Sequence, residues 1–87
     1  MAYRVRLTPA AGRDLRALDR PVLRRIDAKI LALAEDPRPN GVEKLTGDDN
    51  ILRVRVGDYR ILYTIEDAAL SILVVRIRHR REVYRGL

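Results

Sequence analysis

Three features of the sequence predict an α+β fold. Apolar residues alternate with arginines near the N-terminus, then recur at helical spacing over two adjacent segments, then alternate again through much of the second half. A strand, two helices and a run of strands in that order segregate helix from sheet, which is the α+β arrangement. With 87 residues the chain is expected to form one domain, 1–87, burying about 60 to 65% of its unfolded surface.

Tyr3, Val5 and Leu7 alternate with Arg4 and Arg6, the period of a half-buried strand. Thr8-Pro9 then supplies a helix cap followed by proline at the first helical position. Ala11, Leu15 and Leu18 form a short apolar stripe, with Arg13, Asp14 and Arg16 outside it, and this helix is expected to stop near Asp19. Arg20-Pro21 starts a second helix, in which Leu23, Ile26, Ile30 and Leu33 recur at steps of three and four. Asp36 before Pro37 ends it, because the residue preceding proline is pushed out of the helical region. So short a connection predicts an antiparallel helical hairpin with its apolar side on a sheet.

Pro37-Arg38-Pro39-Asn40-Gly41 is a loop by composition. Lys44-Leu45 leads into the sheet, with a turn expected over Gly47 to Asn50. From Ile51 to Tyr63 the chain reads as a β-hairpin closed by Gly57-Asp58, with positive φ at Gly57. That turn sets Val56 opposite Tyr59, Arg55 opposite Arg60, Val54 opposite Ile61 and Arg53 opposite Leu62. Glu66-Asp67-Ala68-Ala69 makes a short connection, and Leu70 to Ile77 is an apolar run whose composition suits a central strand covered on both faces. Its side-chain parity is not legible. The remaining residues, from Arg78 to Leu87, show no periodicity.

The hairpin carries the functional signal. Its register gathers Arg53, Arg55 and Arg60 on one face while Val54, Ile61 and Tyr63 mark the face expected under the helices. Like charges opposite one another destabilise a sheet, so a patch of guanidiniums points to an anion, and planar forks suit phosphate oxygens. The whole chain has a net charge of +6, built from 16 Arg and 2 Lys against 12 acidic residues. Residues 51–87 hold eight bases and four acids, whereas residues 1–50 hold ten and eight, so the excess lies with the sheet and favours a polyanionic partner.

Other chemistries find little support. There is no cysteine and a single histidine, so neither disulfides nor a metal centre is expected, and no cofactor is implied. The only serine, Ser71, lies in the apolar strand. The N-terminus lacks the apolar run of a signal peptide and no segment is long enough to span a bilayer, which predicts a cytoplasmic protein with no membrane partner. The last strand is expected beside Arg60, so His79, Arg80, Arg81 and Tyr84 form the rim of the patch. RNA is cut without a metal when its own 2′-hydroxyl attacks the adjacent phosphate, provided that the protein orients the attack, stabilises charge and moves protons. Arginine serves the second task but not the third, being always protonated; Tyr84 and His79 are the proton-handling candidates. Each also fits a blander role: Tyr84 as a packing residue, His79 and the Arg80-Arg81 pair as solvated surface, Lys44 as a strand flank.

Taken together, K-L-x-G at Lys44 to Gly47, R-V-R-x-G-D-Y-R-I-x-Y at Arg53 to Tyr63 and H-R-R-E-V-Y at His79 to Tyr84 make the chain resemble the RelE/ParE superfamily of bacterial and archaeal toxins, over essentially its whole length. The resemblance implies a RelE-like fold and a ribosome-dependent endoribonuclease that cuts messenger RNA in the ribosomal A site. It also implies a cognate antitoxin that holds the toxin inactive, operator DNA being reached only through the antitoxin complex. By position, Arg53 and Arg55 match the basic residues before the hairpin turn and Arg60 the phosphate-contacting arginine after it. Arg80 matches the arginine associated with transition-state charge, and Tyr84 the near-terminal tyrosine that stacks on or deprotonates the nucleotide. Lys44, His79 and Arg81 are then substrate-binding candidates. Some members have lysines at the positions of Arg53 and Arg55; arginine cannot replace lysine as a general base, which moves proton transfer to Tyr84 or His79. The ParE branch shares the fold, acts on DNA gyrase and generally lacks the basic and tyrosine cluster.

Overall fold

The computed structural model describes residues 2–45 and 48–83. The elements run β1 (Arg4–Leu7), α1 (Pro9–Arg16), α2 (Arg20–Glu35), β2 (Glu43–Leu45), β3 (Asp48–Val56), β4 (Tyr59–Glu66), a 3₁₀ turn (Asp67–Ala69), β5 (Ser71–His79) and α3 (Arg80–Val83). The five strands form one sheet in the order β1-β5-β4-β3-β2. Only the β1–β5 pair is parallel; β2–β3, β3–β4 and β4–β5 are antiparallel. This is the α+β arrangement that the pattern predicts, closed at one edge by the N-terminal strand.

Thr8 shows how the first strand gives way to the first helix. Its hydroxyl accepts the Ala11 N–H at 3.0 Å and donates to the Val75 carbonyl at 2.6 Å, so one side chain caps α1 and ties it to β5. In α2, Ile26, Ile30 and Leu33 are buried on the sheet, and Val22 packs against the core in the first turn, where the periodicity pointed to Leu23. The helix ends at Asp36, which is extended at φ −139° and ψ 92°, as a residue before proline must be. The core joins Ala11 and these α2 residues to Val54, Ile61, Tyr63, Ile72, Val74 and Ile77. The buried Tyr63 hydroxyl donates to the Pro37 carbonyl at 2.6 Å, and burial pushes its phenol up to about 12.

The β3–β4 register is the expected one, pairing Val56 with Tyr59, Arg55 with Arg60, Val54 with Ile61 and Arg53 with Leu62. Gly57 has φ 59° and no other residue of that turn has positive φ, which is the pattern of a turn that needs glycine first. Two expectations are corrected. Asp48, Asp49 and Asn50 belong to β3 and not to a turn, because Leu45 pairs with Asp48 and ladder pairing overrides the turn preference of Asp and Asn; Thr46 and Gly47 lie outside the described residues. The strand β5 is central but, among the described residues, is covered by helices on one face only, and Leu73 is 36% exposed on the other. Both core-forming helices lie on the same side, so among the described residues the second face meets no apolar layer. Among the described residues no helix is long and apolar enough to cross a membrane.

Candidate nucleic-acid interface

Strand alternation divides the sheet into a face under the helices and an open one. On the open face, register aligns Arg55 of β3, Arg60 of β4 and Arg78 of β5 in one row, and Arg53, Leu62 and Arg76 in the next. Five guanidinium-bearing positions thus surround Leu62, which is only 2% exposed. Arg4 and Arg6 stand on the same face at the β1 edge, opposite Ser71 and Leu73. Three of these arginines are the expected ones. Arg76 and Arg78 were not singled out because β5 carries an irregularity: Tyr63 faces Val74 while Leu62 faces Arg76. The intervening Val75 is an extra residue of the kind that makes a β-bulge, and it flips the parity of everything after it.

The arginines differ in what already holds them. Asp14 of α1 takes Arg76 by two hydrogen bonds, 2.8 Å to Nε and 3.2 Å to Nη2. Arg53 has its Nε 3.6 Å from the Glu43 carboxylate, its register neighbour on β2. Arg55 directs Nε to the Gly57 carbonyl at 3.3 Å, and Arg60 directs Nη1 to the Tyr59 carbonyl at 3.3 Å. A guanidinium has five N–H donors, so a single main-chain bond leaves both forks able to take an anion.

Past the end of the sheet, Asp58, His79, Arg80 and Arg81 line an open depression of about 430 Å³. The Arg80 N–H donates to the Asp58 carbonyl at 2.6 Å, extending the β4–β5 ladder to the tip of the hairpin. The His79 ring meets Tyr59 edge-on, centroids 5.1 Å apart, and its Nδ1 accepts the Arg81 N–H at 3.3 Å. An accepting Nδ1 places the proton of the neutral ring on Nε2. The structure therefore brings Arg53, Arg55 and Arg60 onto one face and gathers His79, Arg80 and Arg81 in the depression at its end, where His79, paired with Tyr59, stands on the helix side of β5 and not on the arginine face. Lys44 is elsewhere. It pairs with Leu52 on the helix side and lines a separate depression of about 320 Å³ with Arg38, Asn50, Leu52 and Ile65. Tyr84 lies outside the described residues. The sequence reading missed Asp58 as a neighbour of Arg80, having assigned it only to the turn. Among the described residues no cluster of His, Asp or Glu could hold a metal ion.

Known proteins share this fold. Residues 5–84 match the family described as ParE toxin of type II toxin-antitoxin system, parDE. Toxin RelG of Mycobacterium tuberculosis is 31% identical over 86 residues, covering 98% of this chain and 99% of that protein. In the toxin-antitoxin complex RelBE2 from Mycobacterium tuberculosis, a chain superposes with a TM-score of 0.81 at 29% identity, covering 92% of this chain and 100% of its own length. The archaeal RelE-RelB complex from Pyrococcus horikoshii OT3 holds a chain with a TM-score of 0.79 at 28% identity, with coverages of 92% and 97%. By a family match over nearly its whole length, this identity and this shared fold, the chain belongs to the RelE/ParE superfamily and is a toxin of the type II toxin–antitoxin class.

Proposed function

We propose that this toxin is a ribosome-dependent, metal-independent endoribonuclease that cuts messenger RNA in the ribosomal A site and so stops translation. The observation that carries the reading is the row Arg55, Arg60, Arg78 on the sheet face that α1 and α2 leave open, followed along the chain from β5 by Arg80; Rel-named relatives support it. In the reaction the 2′-oxygen attacks the neighbouring phosphorus and the bond to the 5′-oxygen breaks, leaving a 2′,3′-cyclic phosphate and a 5′-hydroxyl. One proton leaves the attacking oxygen and another joins the departing one. Arg60 and Arg80 stabilise the charge that builds on the phosphate, and such preorganised donors act where water is excluded. Arg53 and Arg55 hold the backbone, Arg81 and His79 bind beside the scissile bond, and Tyr84 or His79 moves the protons. Lys44, on the other side of the sheet, has no place in this phosphate site. The partners are the ribosome, messenger RNA and a cognate antitoxin that reaches operator DNA, which places the toxin in the cytoplasm.

Primer extension in a purified translation system, with ribosomes stalled at a defined codon, tests this. A ribosome-dependent stop within the A-site codon is expected, with the cleavage rate falling roughly 100-fold or more in an Arg60→Ala, Arg80→Ala double variant and clearly in Tyr84→Phe. Full activity of the folded double variant would refute it. The match to the ParE family favours one other reading, a non-catalytic inhibitor of DNA gyrase. That reading predicts loss of negative supercoiling in expressing cells without messenger cleavage, and intact supercoiling would remove it.

A further inference from the structure

We propose that Asp58 is a built-in competitor for phosphate at Arg80: in the free toxin its carboxylate partly neutralises the guanidinium, and an incoming phosphodiester displaces it. The inference deepens the nuclease reading and rests on it only for the identity of the phosphodiester.

Two contacts join these residues, and they do different work. The main-chain bond from the Arg80 N–H to the Asp58 carbonyl, 2.6 Å, needs no particular side chain and fixes the two residues side by side. The side chains meet more loosely, with Nη1 and Oδ1 3.8 Å apart and 57% and 63% exposed. That distance is too long for a hydrogen bond, and an exposed pair of this kind adds little to stability. The turn does not require the carboxylate either, since Gly57 supplies the positive φ. What the carboxylate does is electrostatic. It sits in the depression lined by Asp58, His79, Arg80 and Arg81, at a turn that Arg55 touches through the Gly57 carbonyl. Arg25 of α2 reaches that turn too, its Nη1 3.6 Å from where a Gly57 side chain would begin. Among the described residues Asp58 is the one carboxylate that lines this depression, and its charge takes the place a phosphate would take. A phosphodiester offers two oxygens to the planar fork, whereas Asp58 offers one at 3.8 Å, so a phosphate delivered in place wins while diffusing RNA meets a partly neutralised site.

The test is fluorescence anisotropy of a labelled 2′-O-methyl oligoribonucleotide, which has no attacking hydroxyl, titrated with the whole toxin over a series of salt concentrations. In Asp58→Asn the dissociation constant is expected to fall roughly threefold to tenfold. The slope of log K against log salt should steepen by about 0.7, the value of one additional phosphate contact on a single strand. Asp58→Ser should do the same, which separates loss of charge from the amide of Asn. In an Arg80→Ala background the gain from Asp58→Asn should shrink by more than half, leaving only the effect of the carboxylate on the neighbouring guanidiniums. Glu66→Gln, at the far end of β4, removes an equal charge and should leave binding unaltered. An unchanged affinity in both Asp58 variants, a gain undiminished by Arg80→Ala, or an equal gain in Glu66→Gln would each overturn the proposal. Because binding is read without cleavage, absence of nuclease activity with this coupling intact would remove the nuclease reading alone, and the reverse result would remove only this one.

Discussion

Asp14 shows what one side chain can settle. Helical periodicity places it outside the apolar stripe of α1 with Arg13 and Arg16, yet only 19% of its side chain is exposed. It accepts two bonds from Arg76 and one from the Ile77 main-chain N–H at 3.0 Å, at the part of β5 that extends past β1. Burial by itself raises a carboxyl, but the bonds from Arg76 and Ile77 outweigh it and hold Asp14 below the usual carboxylate range. A group that titrates lower in the folded than in the unfolded chain stabilises the fold at neutral pH, and that contribution disappears as pH falls through its folded value. Asp14→Asn should therefore cost about 2 kcal/mol at pH 7. The difference from wild type, read by urea unfolding, should shrink as pH is lowered from about 5 toward 2. A difference that did not change with pH would show that shape, and not charge, explains the loss.

The β3–β4 hairpin is the element on which the interface depends, since it alone brings Arg55 opposite Arg60 and presents Asp58 at its tip. Gly57 holds it with φ 59°, a conformation that costs a residue with a Cβ about 1 to 2 kcal/mol. Space is not the constraint: the nearest heavy atom to an added Cβ is 3.6 Å away, an ordinary contact. Gly57→Ala should therefore lower the melting temperature by roughly 4 to 8 °C for each kcal/mol lost. An unchanged calorimetric transition would mean that the hairpin tolerates another turn. The other ligature of the fold is less local. Asp67 accepts Arg38 at 2.9 and 3.2 Å and the Tyr3 hydroxyl at 2.8 Å, which ties the loop after α2 and the segment before β1 to the turn before β5. Those bonds, the Arg38 pair first, hold the Asp67 carboxyl below its ordinary value.

At the scale of the whole molecule the governing fact is a sheet whose two core-forming helices lie on one side. The core is a single layer between that sheet and two helices, and Ile61, which is fully buried, stands in the middle strand. Stability for 87 residues is of the order of 4 to 13 kcal/mol, and truncating a buried isoleucine to alanine costs about 2 to 5. Ile61→Ala should consume much of the total, seen as a lower urea midpoint with the same slope, and a loss under about 1 kcal/mol would show that the core repacks around the gap. The opposite face is spared this constraint. It carries arginine where a second apolar layer would otherwise stand, so the proposed binding surface and the core occupy opposite sides of the same strands.

The sequence by itself determined the parts whose causes are local. Thr8-Pro9 and Arg20-Pro21 start the helices, Asp36 before Pro37 ends the second, and Gly57-Asp58 sets the pairing of Arg53, Arg55 and Arg60, because caps, proline geometry and a two-residue turn act over a few neighbouring bonds. The motifs spanning Lys44 to Tyr84 likewise carried the family. Only the tertiary structure decided the rest. The β1–β5 pairing, the extra residue at Val75 that turns Arg76 and Arg78 to the open face, the placement of Lys44 on the helix side and the burial of Asp14 all depend on partners distant in the chain; Asp14 and Arg76, for example, are 62 residues apart. Contacts closed across such separations leave no period in the sequence, since each strand's parity is set by the ladder it joins and not by its own composition.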